Sequence, residues 1–437
     1  MNSGFELALI GLAAMFALIF LHVPIGVAML LIGVAGIATF IGFDRALSLV
    51  SAETYSAIGS ESLAVIAIFL LMGSFATVAG LSTDLFRIAN AFLGHRKGGL
   101  AAATVGGCAG FGAICGSSVA TTATMARIAI PEMTRRSYDS GFAAGSVAAG
   151  GTLGILIPPS VIMVLYAVLT ENSPLALFVA GLVPGLIAVV LYLIAIELTV
   201  RRNPGLAPEA ERMPWHERWR VVRSGWRAIV VIIGVAVGIY GGIFTVLEAA
   251  SVGAALTFIF ALFSGNLSRK VFAECLKETA GNTCMIFVII IGANVLGRFL
   301  AFTRAPDIIV NSIEAVGFAP WIILLILIVF YIILGSIFDT VAAMVITLPF
   351  TYPLVVGSLG MDPIWWGIVM VMVMEIGMIT PPIGINVFVL HGVAKNIPLS
   401  RIYAGIVPYL AADFVRLALI VAMPVLAIGL PKLLGYM

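Results

Sequence analysis

The sequence predicts an all-α polytopic membrane protein made of two inverted repeats, each holding a re-entrant hairpin and a helix broken by paired prolines. Composition is the first reason. Of 437 residues, 62% are hydrophobic and only 10% are charged. A soluble domain carries about 25% charged residues; here the deficit runs over nearly the whole length, with a mean hydropathy of +1.17. The second reason is a matched pair of segments, Gly154-Ile155-Leu156-Ile157-Pro158-Pro159 and Gly377-Met378-Ile379-Thr380-Pro381-Pro382. Proline removes a backbone donor and stops a helix. Lipid cannot satisfy the groups so freed, so such breaks persist only in a packed interior or beside a cavity. Charge is the third reason: basic residues fall between the apolar runs and give the two halves opposite orientations.

The length allows roughly ten to twelve spans with short loops. The 46 glycines and 20 prolines suit close helix packing and interrupted helices. A net charge of +2 gives no reason to expect nucleic acid. Cys108, Cys115, Cys275 and Cys284 lack partners at metal-ligand spacing and read as structural thiols. The first residues lack a basic segment and a second apolar run follows directly, so the N-terminus is expected to be a retained span. Neither HExxH, GxSxG, a Walker glycine-rich loop nor a paired-carboxylate helix motif occurs, which leaves catalysis without support. ATP is not a direct energy source unless another chain supplies its site.

The run from Phe5 to Gly42 is long enough for two spans and is interrupted at His22-Val23-Pro24-Ile25-Gly26. A polar stretch, Asp44 to Glu61, leads to a span near Leu63 to Ala79. Asp84 to Lys97 places Leu85, Phe86, Ile88, Ala89, Phe92 and Leu93 at helical spacing and ends in His95-Arg96-Lys97, the pattern of an interfacial helix on the cytoplasmic face. Gly98 to Ile130 is bracketed by Arg96-Lys97 and Arg135-Arg136. Its middle holds Gly116-Ser117-Ser118, suited to the tip of a hairpin entering from the cytoplasm; two short tilted spans are the other reading. Tyr138 to Thr170 carries the first proline break outward, and Leu175 to Val200 returns. The loop 201–227 holds seven arginines against Glu209, Glu211 and Glu217, a strong cytoplasmic marker.

The second half repeats this plan. Spans near Ala228 to Tyr240 and Val246 to Phe263 precede a basic segment, Asn266 to Lys277, and a span near Thr283 to Leu300. Trp321 to Leu348 has Gly335-Ser336-Ile337-Phe338-Asp339-Thr340 at its middle and few basic flanks, so this hairpin is expected to enter from outside. Ile364 to Val389 holds the second break, and Ile402 to Ile428 crosses outward. Matches recur in order at nearly constant separation. Gly116, Ser117, Thr121, Ala123 and Met125 answer to Gly335, Ser336, Thr340, Ala342 and Met344. Asn172-Ser173-Pro174-Leu175 answers to Asn396-Ile397-Pro398-Leu399, and Ala180-Gly181-Leu182-Val183-Pro184 to Ala404-Gly405-Ile406-Val407-Pro408.

Repeats of this kind place a binding site where the broken helices meet. Free carbonyls at one half-helix end can hold Na⁺, and free amides at the other favour an anion. The first candidate sodium site combines Ser117 and Ser118 with carbonyls near Gly154, Ile157 and Pro159. The second combines Gly335, Ser336 and Thr340 with Gly377, Thr380 and Pro382. Thr121, Ser160, Asp339 and Asn386 are candidate substrate-facing groups. Asp339 is a carboxylate at a hairpin tip; it serves a cation, a substrate or the hairpin backbone. Glu375, two residues before Gly377, has the same alternatives.

The residues Gly116 to Ala123, Gly154 to Ser160, Gly335 to Thr340 and Thr380-Pro381-Pro382-Ile383-Gly384 resemble the large membrane subunit, of DctM or SiaM type, of tripartite ATP-independent periplasmic (TRAP) transporters, and the resemblance covers essentially the full chain. It implies an elevator-type transporter of the bacterial inner membrane in which a mobile transport domain moves against a scaffold. It also implies Na⁺ as coupling ion, a separate small membrane subunit, a periplasmic substrate-binding protein and an organic acid anion as substrate, of the C4-dicarboxylate or sialic/sugar acid type. The chain opens directly on the large-subunit pattern, which is why the small subunit is expected as a separate chain. On this reading 1–80 holds the first scaffold spans, 81–97 an arm helix, 98–170 the first transport-domain half and 171–265 further scaffold spans. A second arm helix follows at 266–280, a scaffold span and outer connector at 281–318, the second transport-domain half at 319–395 and a terminal scaffold span at 396–437. The alternatives are a stand-alone Na⁺-coupled anion transporter or antiporter of the same superfamily and, from a different class, a membrane scaffold protein; the latter would not need two matched breaks.

Overall fold

The structure, a computed structural model, describes residues 3–209 and 212–437; Glu211, counted above in the cytoplasmic loop, lies outside the described residues. Among the described residues every regular element is a helix. The first two spans, α1 (Ser3–Phe20) and α2 (Ile25–Ile41), part where His22 takes φ 66° ahead of Pro24. Then come α3 (Phe43–Ile58), α4 (Glu61–Val78) and the amphipathic α5 (Leu81–Leu93). The first hairpin is α6 (Gly99–Cys115) and α7 (Ser118–Arg135). The first broken helix is α8 (Ser140–Leu156) and α9 (Val161–Leu169), bent by 40°, and α10 (Pro174–Arg202) follows it.

The middle of the chain holds α11 (Trp215–Ser224), α12 (Trp226–Tyr240), α13 (Val246–Phe263), α14 (Arg269–Thr303) and α15 (Ala305–Val316). Next are the second hairpin, α16 (Pro320–Ile337) and α17 (Thr340–Tyr352) with a π-helical turn at Pro353–Ser358, and the second broken helix, α18 (Pro363–Gly377) and α19 (Ile385–Val393). The chain ends with α20 (Leu399–Ala422) and α21 (Val425–Leu433). Helices α6 to α10 thus recur as α16 to α20, down to a proline inside each last member, Pro184 and Pro408.

Burial explains why the broken helices take the centre. In α8 every residue from Gly141 to Leu156 is buried, and in α18 every residue from Ile364 to Gly377. By contrast α16 leaves Leu325, Ile326, Val329 and Ile333 exposed, a surface that suits lipid or a partner helix, not water. Small residues set the closest crossings, as expected where apolar surroundings give helices little hydrophobic reason to associate. Where α8 meets α20, a Cβ on Gly405 would collide with the carbonyl of Gly141. Where α2 meets α14, a Cβ on Gly26 would lie 2.7 Å from the Ile289 nitrogen.

Several expectations are corrected. Length and apolarity identify seven helices able to cross a membrane, or nine when each of two bent pairs is one span, not ten to twelve. The seven include both arms of the second hairpin, α16 and α17 with its π-helical turn, whereas α1, α2, α6 and α18 are apolar but too short to qualify alone. The second bent pair is not a proline break; it is α11 against α12, at 65°. The arm segment 266–280 and the span after it are one continuous helix of 35 residues, α14, since neither proline nor a left-handed glycine interrupts Arg269–Thr303. The terminal run is divided at Met423-Pro424. The polar stretch from Asp44 is itself helical, as α3. Just past the end of α5, the His95 imidazole is held below its ordinary pKa by burial, then by Arg218, Arg212 and Arg96.

Two measurements check this architecture. With native cysteines removed, Lys97→Cys and Ser137→Cys should label with an impermeant thiol reagent from inside, and Val316→Cys and Ser358→Cys from outside; opposite sides for the first pair would make the first hairpin a full crossing. Gly405→Ala should lower stability by about 1–3 kcal/mol through overpacking. Gly281→Ala, where a Cβ meets nothing within 4 Å, should leave the melting temperature in detergent unchanged or slightly higher.

Candidate functional site

Each hairpin tip is stitched to the break of its own repeat. Helix α6 ends at Gly116, whose φ of 64° is the left-handed conformation that glycine adopts without strain. Ser117 then caps α7, its hydroxyl accepting from the Ala120 amide at 3.4 Å. The Gly116 carbonyl accepts from the Val161 amide, the first residue of α9, at 3.4 Å. Helix α8 approaches so closely that a Cβ on Gly154 would lie 2.8 Å from the Ser117 carbonyl oxygen and 2.7 Å from the Thr121 hydroxyl. A Cβ on Gly116 would lie 3.0 Å from the Pro159 carbonyl oxygen. Ser117, Thr121, Gly154 and Pro159 are therefore together. Ile157 directs its side chain away, against Gly185 of α10. Ser160 caps α9 by accepting from the Met163 amide at 3.4 Å.

The second repeat uses the same device with different side chains. A Cβ on Gly377 would lie 2.8 Å from the Gly335 Cα, so the tip and the break touch through backbone. The Gly384 amide donates to the Ser336 carbonyl at 2.9 Å. Thr340 points its hydroxyl at the Met378 sulfur, 3.1 Å away, and Thr380 donates to the Ile376 carbonyl at 2.6 Å. Pro382 is exposed, and its carbonyl accepts from the Tyr403 hydroxyl at 3.4 Å. Asp339 caps α17, accepting from the Val341 amide at 3.0 Å, which is the backbone role left open for it by the sequence. Both diproline peptide bonds, Pro158-Pro159 and Pro381-Pro382, are cis.

At the first tip the two repeats meet through a short side-chain bond: Asn386 Nδ2 donates to Ser118 Oγ at 2.6 Å, and both residues are buried. Ser118 thus faces α19 of the other repeat as well as its own tip. Asn386 Oδ1 at this contact, Thr121 Oγ1 against Gly154 and Thr122 Oγ1 against Gly151 are buried without a hydrogen-bond partner. Buried polar atoms are normally satisfied. Three unpartnered oxygens beside two helix ends are what a desolvated cation or polar ligand would occupy. In the second repeat, Ser336 and Thr380 give their protons to backbone carbonyls, which leaves oxygen lone pairs free to face a cation.

Sequence reasoning missed a charged network. Arg416 Nη2 lies 2.9 Å from Glu375 Oε2 and 2.9 Å from Asp413 Oδ1, with all three side chains at most 1% exposed. The Tyr192 hydroxyl is 2.9 and 2.8 Å from the two Asp413 oxygens, and Thr152 is 3.3 Å from that hydroxyl. The network joins α8, α10, α18 and α20 beneath the second break. Its signal was present: Asp413 and Arg416 are charged residues one helical turn apart inside an apolar run.

Comparison with known proteins decides the family. The model for the DctM component of the tripartite ATP-independent periplasmic transporter matches residues 12–426. The chain belongs to this family. It is 38% identical to a C4-dicarboxylate TRAP transporter large permease protein of Pseudomonas aeruginosa, over 92% of this chain and 94% of that one. It is 28% identical to a sialic acid TRAP transporter large permease protein of Vibrio cholerae, over 96% and 97%. An ectoine TRAP transporter large permease of Halomonas elongata is 27% identical over 96% and 98%. The crystal structure of the Alcanivorax borkumensis YdaH transporter shares the fold, with a TM-score of 0.56 at 14% identity over 87% of this chain and 88% of that one. Membership makes the chain a TRAP large permease subunit, a transporter component and not an enzyme, multi-pass in the inner membrane.

Replacing Arg416 by Met should cost about 3–5 kcal/mol, because it strands two buried carboxylates. Adding Asp413→Asn should recover part of that loss. Melting curves of the purified permease read both, and an unchanged midpoint for Arg416→Met would show that the network does not hold the bundle together.

Proposed function

We propose that this permease drives the import of an organic acid anion with the Na⁺ gradient. In this reading the hairpins and broken helices, 98–170 and 319–395, move as a transport domain against the remaining spans. A separate small membrane subunit and a periplasmic binding protein complete the system. C4-dicarboxylate, sialic acid and ectoine are named for the relatives above, and the first two, as anions, suit a site flanked by helix ends. The observation that carries the reading is the paired set of tips and breaks, each sealed by a backbone bond and bordered by hydroxyl and amide oxygens. One Na⁺ would be held by Ser117, Ser118 and the carbonyls about Gly154, Ile157 and Pro159. A second would be held by Gly335, Ser336, Thr340, Gly377, Thr380 and Pro382. Among the described residues no cluster of three or more His, Cys, Asp or Glu side chains forms a transition-metal site.

The chemistry follows from the ends of the half-helices. Carbonyls at the ends of α8 and α18 carry the negative pole of their helices, and amides at the starts of α9 and α19 carry the positive pole. Na⁺ bound at the first pole attracts an anion at the second. Asn386, Thr121 and Ser160 then orient it, with Asp339 holding the second tip in shape. Binding both charges together lowers the cost of carrying either through a low-dielectric interior. A stand-alone anion transporter would need only this chain, which separates it from the three-component reading.

Uptake into proteoliposomes, with the small subunit and binding protein each supplied or omitted, tests the proposal. Replacing outer Na⁺ by K⁺ at constant ionic strength should abolish uptake; undiminished uptake would reject Na⁺ coupling. Ser117→Ala and Thr380→Ala should each raise the Na⁺ concentration for half-maximal uptake roughly five- to 150-fold, the range for losing a buried polar partner, with the yield of monodisperse protein unchanged. An unaltered Na⁺ response in both would place the ion elsewhere.

A further inference from the structure

A cavity of about 600 Å³ opens beside the C-terminal ends of α9 and α17, away from the sites above and on the side that the charge pattern of the sequence places outside. One wall is built by α3, α4 and α14, the other by the outer ends of α9 and α17, including Thr170 and Tyr352. Arg298 is the one basic residue among the lining residues, and Glu53 and Glu171 are the acidic ones, Glu171 exposed at the end of α9. Its Nε and Nη2 both contact Oε1 of Glu53, and Asn294 Nδ2 donates to Glu53 Oε2 at 3.2 Å. The partners are unequal: the Arg298 side chain is 56% exposed and the Glu53 side chain 10%. The carboxylate is thus fixed in the wall, while the guanidinium stands open to the cavity.

A planar guanidinium is suited to a carboxylate, which it can bind through two parallel hydrogen bonds. Glu53 already supplies such a group from within the chain. The cavity is large enough for a small organic acid, and it touches both the helices assigned to the transport domain and those assigned to the scaffold. We propose that this cavity is an outer docking place for the transported anion, where Arg298 takes its carboxylate and Glu53 holds Arg298 in the absence of the anion. The inference rests on the Na⁺-driven import of organic acids proposed above and adds a second anion position to it. It predicts opposite effects for the two members of one ion pair. Removing Arg298 weakens anion capture, and neutralising Glu53 frees the guanidinium and strengthens it. A pair that merely ties α3 to α14 would give the same sign for both.

The test has two arms. In the first, exposed Cys284 is changed to Ser and Ser56, on the cavity wall, to Cys; the other three cysteines are buried. Anionic sulfonatoethyl and cationic trimethylammonium-ethyl methanethiosulfonates are added from outside, and the ratio of their reaction rates is measured. Relative to the parent, Arg298→Gln should lower the anion-to-cation ratio about three- to tenfold, the scale of one partly screened charge. Glu53→Gln should raise it, and Arg298→Lys should preserve it. An unchanged ratio in both Gln variants overturns the proposal. In the second arm the complete three-component system takes up substrate in vesicles. Arg298→Gln should raise, and Glu53→Gln should lower, the concentration of substrate-loaded binding protein giving half-maximal uptake; a rise in both marks a structural pair and overturns the proposal. Failure of the parent protein to take up any organic acid overturns the import reading instead. The labelling ratio, read without transport, tells the two failures apart.

Discussion

The constraint on which the structure depends is the fate of the backbone groups freed where a helix stops inside an apolar interior. Each unmet amide or carbonyl there costs several kcal/mol. Both repeats answer in the same way: the amide just past the break donates to a carbonyl of the hairpin tip, Val161 to Gly116 and Gly384 to Ser336. Val161 and Gly384 are separated by the same distance along the chain as Pro158 and Pro381, so the donors match, while the acceptors are neighbouring positions of the tip, since Gly116 answers to Gly335 and Ser336 to Ser117. A hairpin that did not reach the break would leave that amide exposed to lipid. The tip and the break of each repeat are thus tied to each other through backbone.

That bond in turn dictates where glycine is needed. Backbone can meet backbone only where no Cβ intervenes, and Gly154 and Gly377 occupy matching places on α8 and α18. The price elsewhere is polarity. The repeats share a backbone plan but not their side chains: Ser117 caps the first tip and Asp339 the second. The link between Asn386 and Ser118 has no counterpart, since Met163 and Ile337 stand at the matching positions. Unpartnered Thr121, Thr122 and Asn386 oxygens gather on the side of the first site. The two candidate ion sites are hence unlike in their donors, and they need not bind Na⁺ with equal affinity.

Much of this could be read from the residues because proline and glycine act locally. Pro158-Pro159 and Pro381-Pro382 stop a helix whatever surrounds them, and Gly116 between Cys115 and Ser117 marks a turn. Helix continuity was less legible. The basic segment Asn266 to Lys277 suggested an element distinct from the span after it, yet nothing in Arg269–Thr303 compels a break and α14 runs through. Side-chain partners were the least legible. Ser118 was expected to serve its own tip, but its hydroxyl meets Asn386, distant in sequence, because the packing of α7 on α19 is a property of the assembled bundle. Asp339 read equally well as ligand or cap until the Val341 amide was located.

The buried charges show how the repeats are joined. Thr152 precedes Gly154 as Glu375 precedes Gly377, and Tyr192 is related to Arg416 by the separation that relates Ala180 to Ala404. Thr152 with Tyr192, 3.3 Å apart, and Glu375 with Arg416, 2.9 Å apart, are thus equivalent pairs from the two repeats. They meet through Asp413, which accepts from Tyr192 and contacts Arg416. Such a meeting point lies where two inverted copies share an axis. A neutral pair facing an ionic pair is chemically asymmetric on a nearly symmetric backbone. Tyr192 donates to Asp413, so a hydroxyl of the neutral pair helps to solvate the carboxylate that Arg416 contacts. An ion pair set among aliphatic side chains would lack that dipole, and the desolvation cost of burying its charges would go unmatched. The same polar centre ties α8 and α18, the two most buried helices, to the long spans α10 and α20 that follow them, so each break is held in place from behind as well as at its tip.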